Sequence, residues 1–79
     1  MYTVYTSENC PYCFQAKNLL ISKGLEYTEI NVHQDPAAHA KMTELGLRSV
    51  PQIFLDGRLI SGGYQGLRNH LLTGELGSL

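Results

Sequence analysis

Two cysteines stand at Cys10-Pro11-Tyr12-Cys13, and the chain has no others. Two thiols at that spacing can cycle between dithiol and disulfide, or supply half of a zinc site. A free thiol has a pKa of roughly 8.5, so at neutral pH only a few per cent is the reactive thiolate. The first turn of a helix favours the anion through unpaired N–H groups and a partial positive charge of about half an elementary unit. A downward shift of about 1.5 units is roughly 2 kcal/mol and raises the thiolate fraction more than tenfold. At such a helix start Cys10, first and more exposed, is the expected nucleophile. Cys13, one turn inward, is placed to attack a mixed disulfide formed at Cys10 and release the product.

The flanking residues predict that helix start. Met1 to Thr6 (MYTVYT) is a β-branched and aromatic run that reads as a short buried strand. Pro11 suits the first helical position, where its missing N–H would be unpaired anyway. Phe14 to Lys23 is rich in helix formers and runs without glycine to Gly24. Leu25 to Val32 then alternates as a second strand. Asp35-Pro36 reads as a helix cap and first position, and Ala38, Met42 and Leu45 share one face of a helix that stops at Gly46. Pro51 to Leu55 and Arg58 to Ser61 flank an Asp56-Gly57 hairpin turn. Gly62-Gly63 precedes a last helix from about Tyr64 to Thr73, with Gly74 to Leu79 expected to be a loose tail. The order β-α-β-α-β-β-α predicts an α/β domain. Its first two strands are parallel through a right-handed crossover, its hairpin is antiparallel, and helices lie on both faces. The cysteines then lie at the C-terminal end of the first strand, where open α/β sheets place their sites.

Composition bounds the rest. A chain of 79 residues buries only about 60% of its unfolded surface, which predicts one domain over residues 1–79. No segment approaches the roughly 20 apolar residues of a membrane span. The start, MYTVYTSEN, lacks the basic and apolar regions of a signal peptide. A reducing cytoplasmic setting is therefore expected, where a close cysteine pair is catalytic or metal-binding rather than a structural staple. A formal net charge of −1 shows no basic excess that would point to nucleic acid.

The CPYC motif behind Val4-Tyr5-Thr6, the Ala16-Lys17-x-Leu19-Leu20 helix, Val50-Pro51-Gln52-Ile53-Phe54 and Gly62-Gly63 occur in one order across residues 2 to 73. In that combination the chain resembles a dithiol glutaredoxin. The resemblance implies a thioredoxin-like fold, a four-stranded mixed sheet of order 2-1-3-4 flanked by three helices. It also implies a cis peptide bond at Pro51 beside the cysteines, where residue pattern alone would read a proline starting a strand. The implied activity is thiol-disulfide exchange on protein disulfides and glutathione mixed disulfides. No bound cofactor is required, glutathione is the expected reductant, and a monomer is expected. In the implied groove Tyr12 lines one side and the Val50 backbone pairs with the cysteinyl part of glutathione as an added strand. Gly63, Tyr64 and Gln65 meet the γ-glutamyl carboxylate at the start of the last helix.

Three positions depart from the family pattern. Ser7 stands where many glutaredoxins have lysine, three residues before the first cysteine, and Glu8 follows it. Gln65 replaces the usual Asp, Ser or Thr. Arg48, three residues before Pro51, resembles the glutaredoxin-like electron donors of ribonucleotide reductase that thioredoxin reductase recharges. That makes ribonucleotide reductase a candidate partner and thioredoxin reductase an alternative source of electrons. A zinc module built from Cys10, Cys13, His33 and His39 is the rival of a different class, but a second C-x-x-C or a compact histidine pair is missing. Lys17, two turns from Cys10, reads as a solvated lysine, the three histidines as surface residues, and Tyr2, Tyr5 and Tyr27 as half-buried strand residues.

Overall fold

The structure, a computed structural model, describes residues 1–77, with side chains through residue 72. Seven elements follow in the order expected: β1 (Tyr2–Thr6), α1 (Pro11–Ser22), β2 (Tyr27–Asn31), α2 (Pro36–Glu44), β3 (Gln52–Leu55), β4 (Arg58–Ile60) and α3 (Gly63–Gly77). They form one four-stranded sheet of order β2-β1-β3-β4, the thioredoxin-like arrangement. β1 runs parallel to β2, with Tyr2 opposite Tyr27 and Thr6 opposite Asn31. It runs antiparallel to β3, with Val4 opposite Ile53. β3 turns back to β4 through Asp56 and Gly57, both at positive φ (51° and 86°), the backbone that a two-residue hairpin loop demands.

Strand alternation sorts the core onto two faces. Tyr2, Val4 and Ile53 point to one face, against Ala16 and Leu20 of α1 and Leu67 and Leu71 of α3. Tyr5 and Phe54 point to the other, against Val32, Ala38 and Met42. Tyr5 and Phe54 meet edge-on, ring centroids 5.3 Å apart at 80°, and the Lys41 ammonium lies 4.8 Å from the Phe54 centroid. With layers on both sides, β1 is buried along nearly its whole length. Tyr2 and Tyr5 are therefore core residues rather than half-buried ones, and only Tyr27, on the edge strand, stays partly exposed.

Two further expectations change. Leu45 is 50% exposed instead of sharing the buried face of Ala38 and Met42. The helix has ended by then. Gly46 turns at φ 73°, and the Leu47 N–H donates to the Met42 carbonyl (2.9 Å), so Leu47 packs there instead. The tail expected from Gly74 is helical through Gly77, since a glycine weakens a helix by about 1 kcal/mol without ending it. The rest of that expected tail, residues 78–79, lies outside the described residues.

Candidate active site

β1 ends at Thr6, and a short turn with Asn9 at φ 57° carries the chain into α1. Asparagine tolerates that left-handed conformation better than most residues. Cys10 is the N-cap, extended at φ −114° and ψ 99°, and Pro11 takes the first helical position. The Cys10 sulfur accepts a hydrogen bond from the Cys13 N–H (3.2 Å), one of the donors a helix start leaves unpaired. Cys10 and Cys13 are joined as a disulfide with Cα atoms 5.2 Å apart. Their exposure differs: Cys10 is partly exposed, whereas Cys13 is only 2% exposed.

The loop before β3 approaches from the far end of the chain. The Val50–Pro51 peptide bond is cis, and the Val50 carbonyl oxygen lies 3.7 Å from the Cys10 sulfur. Gln52, buried, donates from its side-chain amide to the Ser49 carbonyl (2.9 Å) and ties the loop to the strand that follows. The start of α3 closes in from the other side. A Cβ on Gly63 would stand 3.2 Å from the Pro51 oxygen, and one on Gly66 only 1.8 Å from the Ser61 oxygen. Glycine at 66 lets the first turn of α3 lie directly on the backbone leaving β4.

A groove of about 510 Å³ runs between these segments, lined by Tyr12, Val50, Pro51, Gly63, Tyr64 and Gln65 among others. The five residues expected to bind substrate thus lie along one groove, with Tyr12 and Tyr64 facing each other at 6.0 Å between ring centroids. Gln65 is exposed, and its amide reaches Asn69 (3.4 Å). The cysteines open onto an adjoining depression shared with Ser7, Phe14 and Lys17. Arg48 lies elsewhere, in a third cleft with His33, His39 and Ser7. His33 pairs with Glu8 (2.9 Å) rather than approaching a sulfur. Among the described residues, no group of three or more His, Cys, Asp or Glu side chains gathers where it could hold a metal ion.

Lys17 is not the solvated lysine expected from sequence. Its ammonium donates to Glu29 of β2 (2.9 Å), and the same carboxylate oxygen accepts from the Thr6 hydroxyl (2.9 Å). That lysine bond is the main reason the Glu29 carboxyl sits below the usual carboxylate range; partial burial opposes it and the Thr6 bond adds to it. Sequence offered one clue, since Lys17 follows Cys13 by four residues and so shares its helix face. His70 is likewise not a plain surface residue. It is partly buried, with its ring nitrogen 3.3 Å from the Tyr2 hydroxyl.

The glutaredoxin family model matches residues 2–60. A glutaredoxin of Neisseria meningitidis serogroup A is 44% identical over 79 residues, spanning 98% of this chain and 92% of that protein. The solution structure of glutaredoxin from Brucella melitensis is similar at a TM-score of 0.76 and 39% identity, covering 99% of this chain and 85% of that one. The crystal structure of the buckwheat glutaredoxin–glutathione complex is similar at a TM-score of 0.78 and 28% identity, covering 95% of this chain and 71% of that one. Sheet order, cysteine pair and sequence agree, and the chain belongs to the glutaredoxin family, as a thiol-disulfide oxidoreductase.

Proposed function

We propose that this protein reduces protein disulfides and glutathione mixed disulfides with Cys10 as nucleophile and Cys13 as resolving thiol, and that glutathione recharges it. The carrying observation is the placement of the Cys10 sulfur as helix N-cap, accepting from the Cys13 N–H at 3.2 Å while the other sulfur is buried. The N–H and the helix dipole favour a thiolate at Cys10 over one at Cys13. In the forward reaction the Cys10 thiolate attacks a substrate disulfide, one sulfur–sulfur bond forms and one breaks, and a substrate thiolate leaves. The Cys13 thiolate then attacks the Cys10 sulfur, so the second substrate thiolate departs and the protein holds the disulfide. Two glutathione thiols reverse this in two further exchanges and leave as glutathione disulfide.

The groove supports glutathione as that reductant. Val50 offers backbone next to the Cys10 sulfur for a short strand-like pairing, and Tyr12 forms a wall. Gly63, Tyr64 and Gln65 begin α3, where N–H groups suit a carboxylate. Electrons travel on the two sulfurs, so the chemistry needs no bound cofactor. The same reading takes residues 1–79 as one domain acting as a monomer in a reducing, cytoplasmic setting, with ribonucleotide reductase among its protein substrates. None of its helices is long and apolar enough to cross a membrane, among the described residues.

A paired turnover assay tests the choice of reductant. Glutathione with glutathione reductase is expected to reduce the Cys10–Cys13 disulfide rapidly, and thioredoxin reductase with NADPH only slowly. Rapid reduction by thioredoxin reductase and not by glutathione would replace this reading with that of a thioredoxin reductase-dependent donor.

A further inference from the structure

The depression that opens onto the two sulfurs is lined by Ser7, Asn9, Cys10, Pro11, Cys13, Phe14 and Lys17, and among these Lys17 is the sole charged side chain. It follows Cys13 by four residues in α1, so the two lie one turn apart on the same helix face. Its ammonium is held in place, not free. Glu29 stands opposite Val4 in the parallel register, and Val4 and Thr6 share the sheet face that α1 covers. Glu29 therefore accepts from both Thr6 and Lys17 at 2.9 Å. Glu29 is not among the residues that line the depression. The other charged group near this turn, Glu8, pairs outward with His33. From the Pro51 loop and the start of α3, the groove receives Tyr64 and Gln65 but no charged side chain.

We propose that Lys17, tethered by Glu29 and Thr6, is a positioning residue for the resolving step, its ammonium favouring the thiolate of Cys13. Cys10 draws on the helix start, but Cys13 is inside the first turn and 2% exposed, so burial works against its ionisation. Resolution needs that ionisation. The Cys13 thiol loses its proton to water, and its thiolate bonds to the Cys10 sulfur of the mixed disulfide. The bond from Cys10 to the substrate sulfur breaks, and the substrate thiolate leaves and takes up a proton. A cation held one turn along the same helix face offsets part of that burial cost. The proposal rests on Cys13 being the resolving thiol, and its test separates the two.

In a Cys10→Ser background Cys13 is the single thiol, so ultraviolet thiolate absorbance against pH, after subtracting the Cys10→Ser/Cys13→Ser double variant to remove the five tyrosines, reads its ionisation. Lys17→Gln is expected to raise the midpoint by about one unit, a roughly tenfold loss of thiolate below it. Lys17→Arg is expected to restore it, and Glu29→Gln to lower it by freeing the ammonium of its neutralising partner. Opposite shifts mark a charge effect, and if one variant fails to fold the other still decides. With both cysteines present, Lys17→Gln should lower the ratio of product release to first attack by about threefold, because a thiol of higher pKa regains about threefold in nucleophilicity. An unmoved midpoint, or shifts of the same sign in Lys17→Gln and Glu29→Gln, overturns the proposal. Release that persists at full rate in Cys13→Ser, with no glutathione added, overturns instead the assignment of the resolving thiol.

Discussion

At the scale of single residues, the chemistry is set by where two sulfurs fall relative to one helix end. That much was legible in the sequence, because Pro11 marks a first helical position and so fixes Cys10 as the cap. Lys17 was not legible in the same way. Counted from Cys10 it lies two turns off, and its ionic partner comes from β2, a contact that no local pattern announces. The Glu29 carboxyl, depressed in the folded state chiefly by Lys17, contributes stability above the unfolded carboxylate pKa and loses it as pH falls through the folded value. With Glu29 about 41% exposed, the effect is screened and stays under about 1 kcal/mol. Thermal unfolding below pH 5 should show the parent losing stability more steeply on acidification than Glu29→Gln. Parallel pH profiles for the two would remove the pair from the acid response.

At the scale of elements, the sequence marks its own boundaries where capping chemistry is strong. Asp35 accepts from the Ala38 N–H (3.1 Å) and Pro36 follows, so α2 begins where the pattern places it. Helix ends are read less well: spacing puts Leu45 on a face that α2, ending at Glu44, does not extend to, and α3 outruns Gly74. Gly66 shows a different limit. Inside a helix it reads as a mildly unfavourable residue, and only the contact with Ser61, made after β4 and α3 have folded together, explains it. A Cβ 1.8 Å from a backbone oxygen cannot be accommodated by a side-chain movement, so α3 or the Ser61 segment must shift. Gly66→Ala should cost more than about 2 kcal/mol in denaturant unfolding and weaken glutathione turnover, since the same segments wall the groove. A stability within about 0.5 kcal/mol of the parent would mean that the close approach is dispensable.

At the scale of the whole molecule, function depends on distant segments meeting. Val50 is 40 residues from Cys10, yet its carbonyl lies 3.7 Å from the sulfur. Residue pattern gave the elements and the parallel first pair. The sheet order 2-1-3-4 came from family resemblance, because strand order depends on which hydrophobic faces can be covered at once. β1 at the centre, with α1 and α3 on one face and α2 on the other, fixes the sheet's edges and brings the β3 loop and the α3 start to the cysteines. That convergence makes two thiols an asymmetric pair, one partly exposed at a helix cap and one buried a turn inside. The most direct measurement is turnover of a glutathione mixed disulfide by the two single variants, with mass spectrometry of the protein product. Cys10→Ser is expected to be inactive and free of adduct, whereas Cys13→Ser should accumulate one glutathione on Cys10. An adduct forming readily on Cys13 in the Cys10→Ser variant, with Cys13→Ser left inert, would contradict the account.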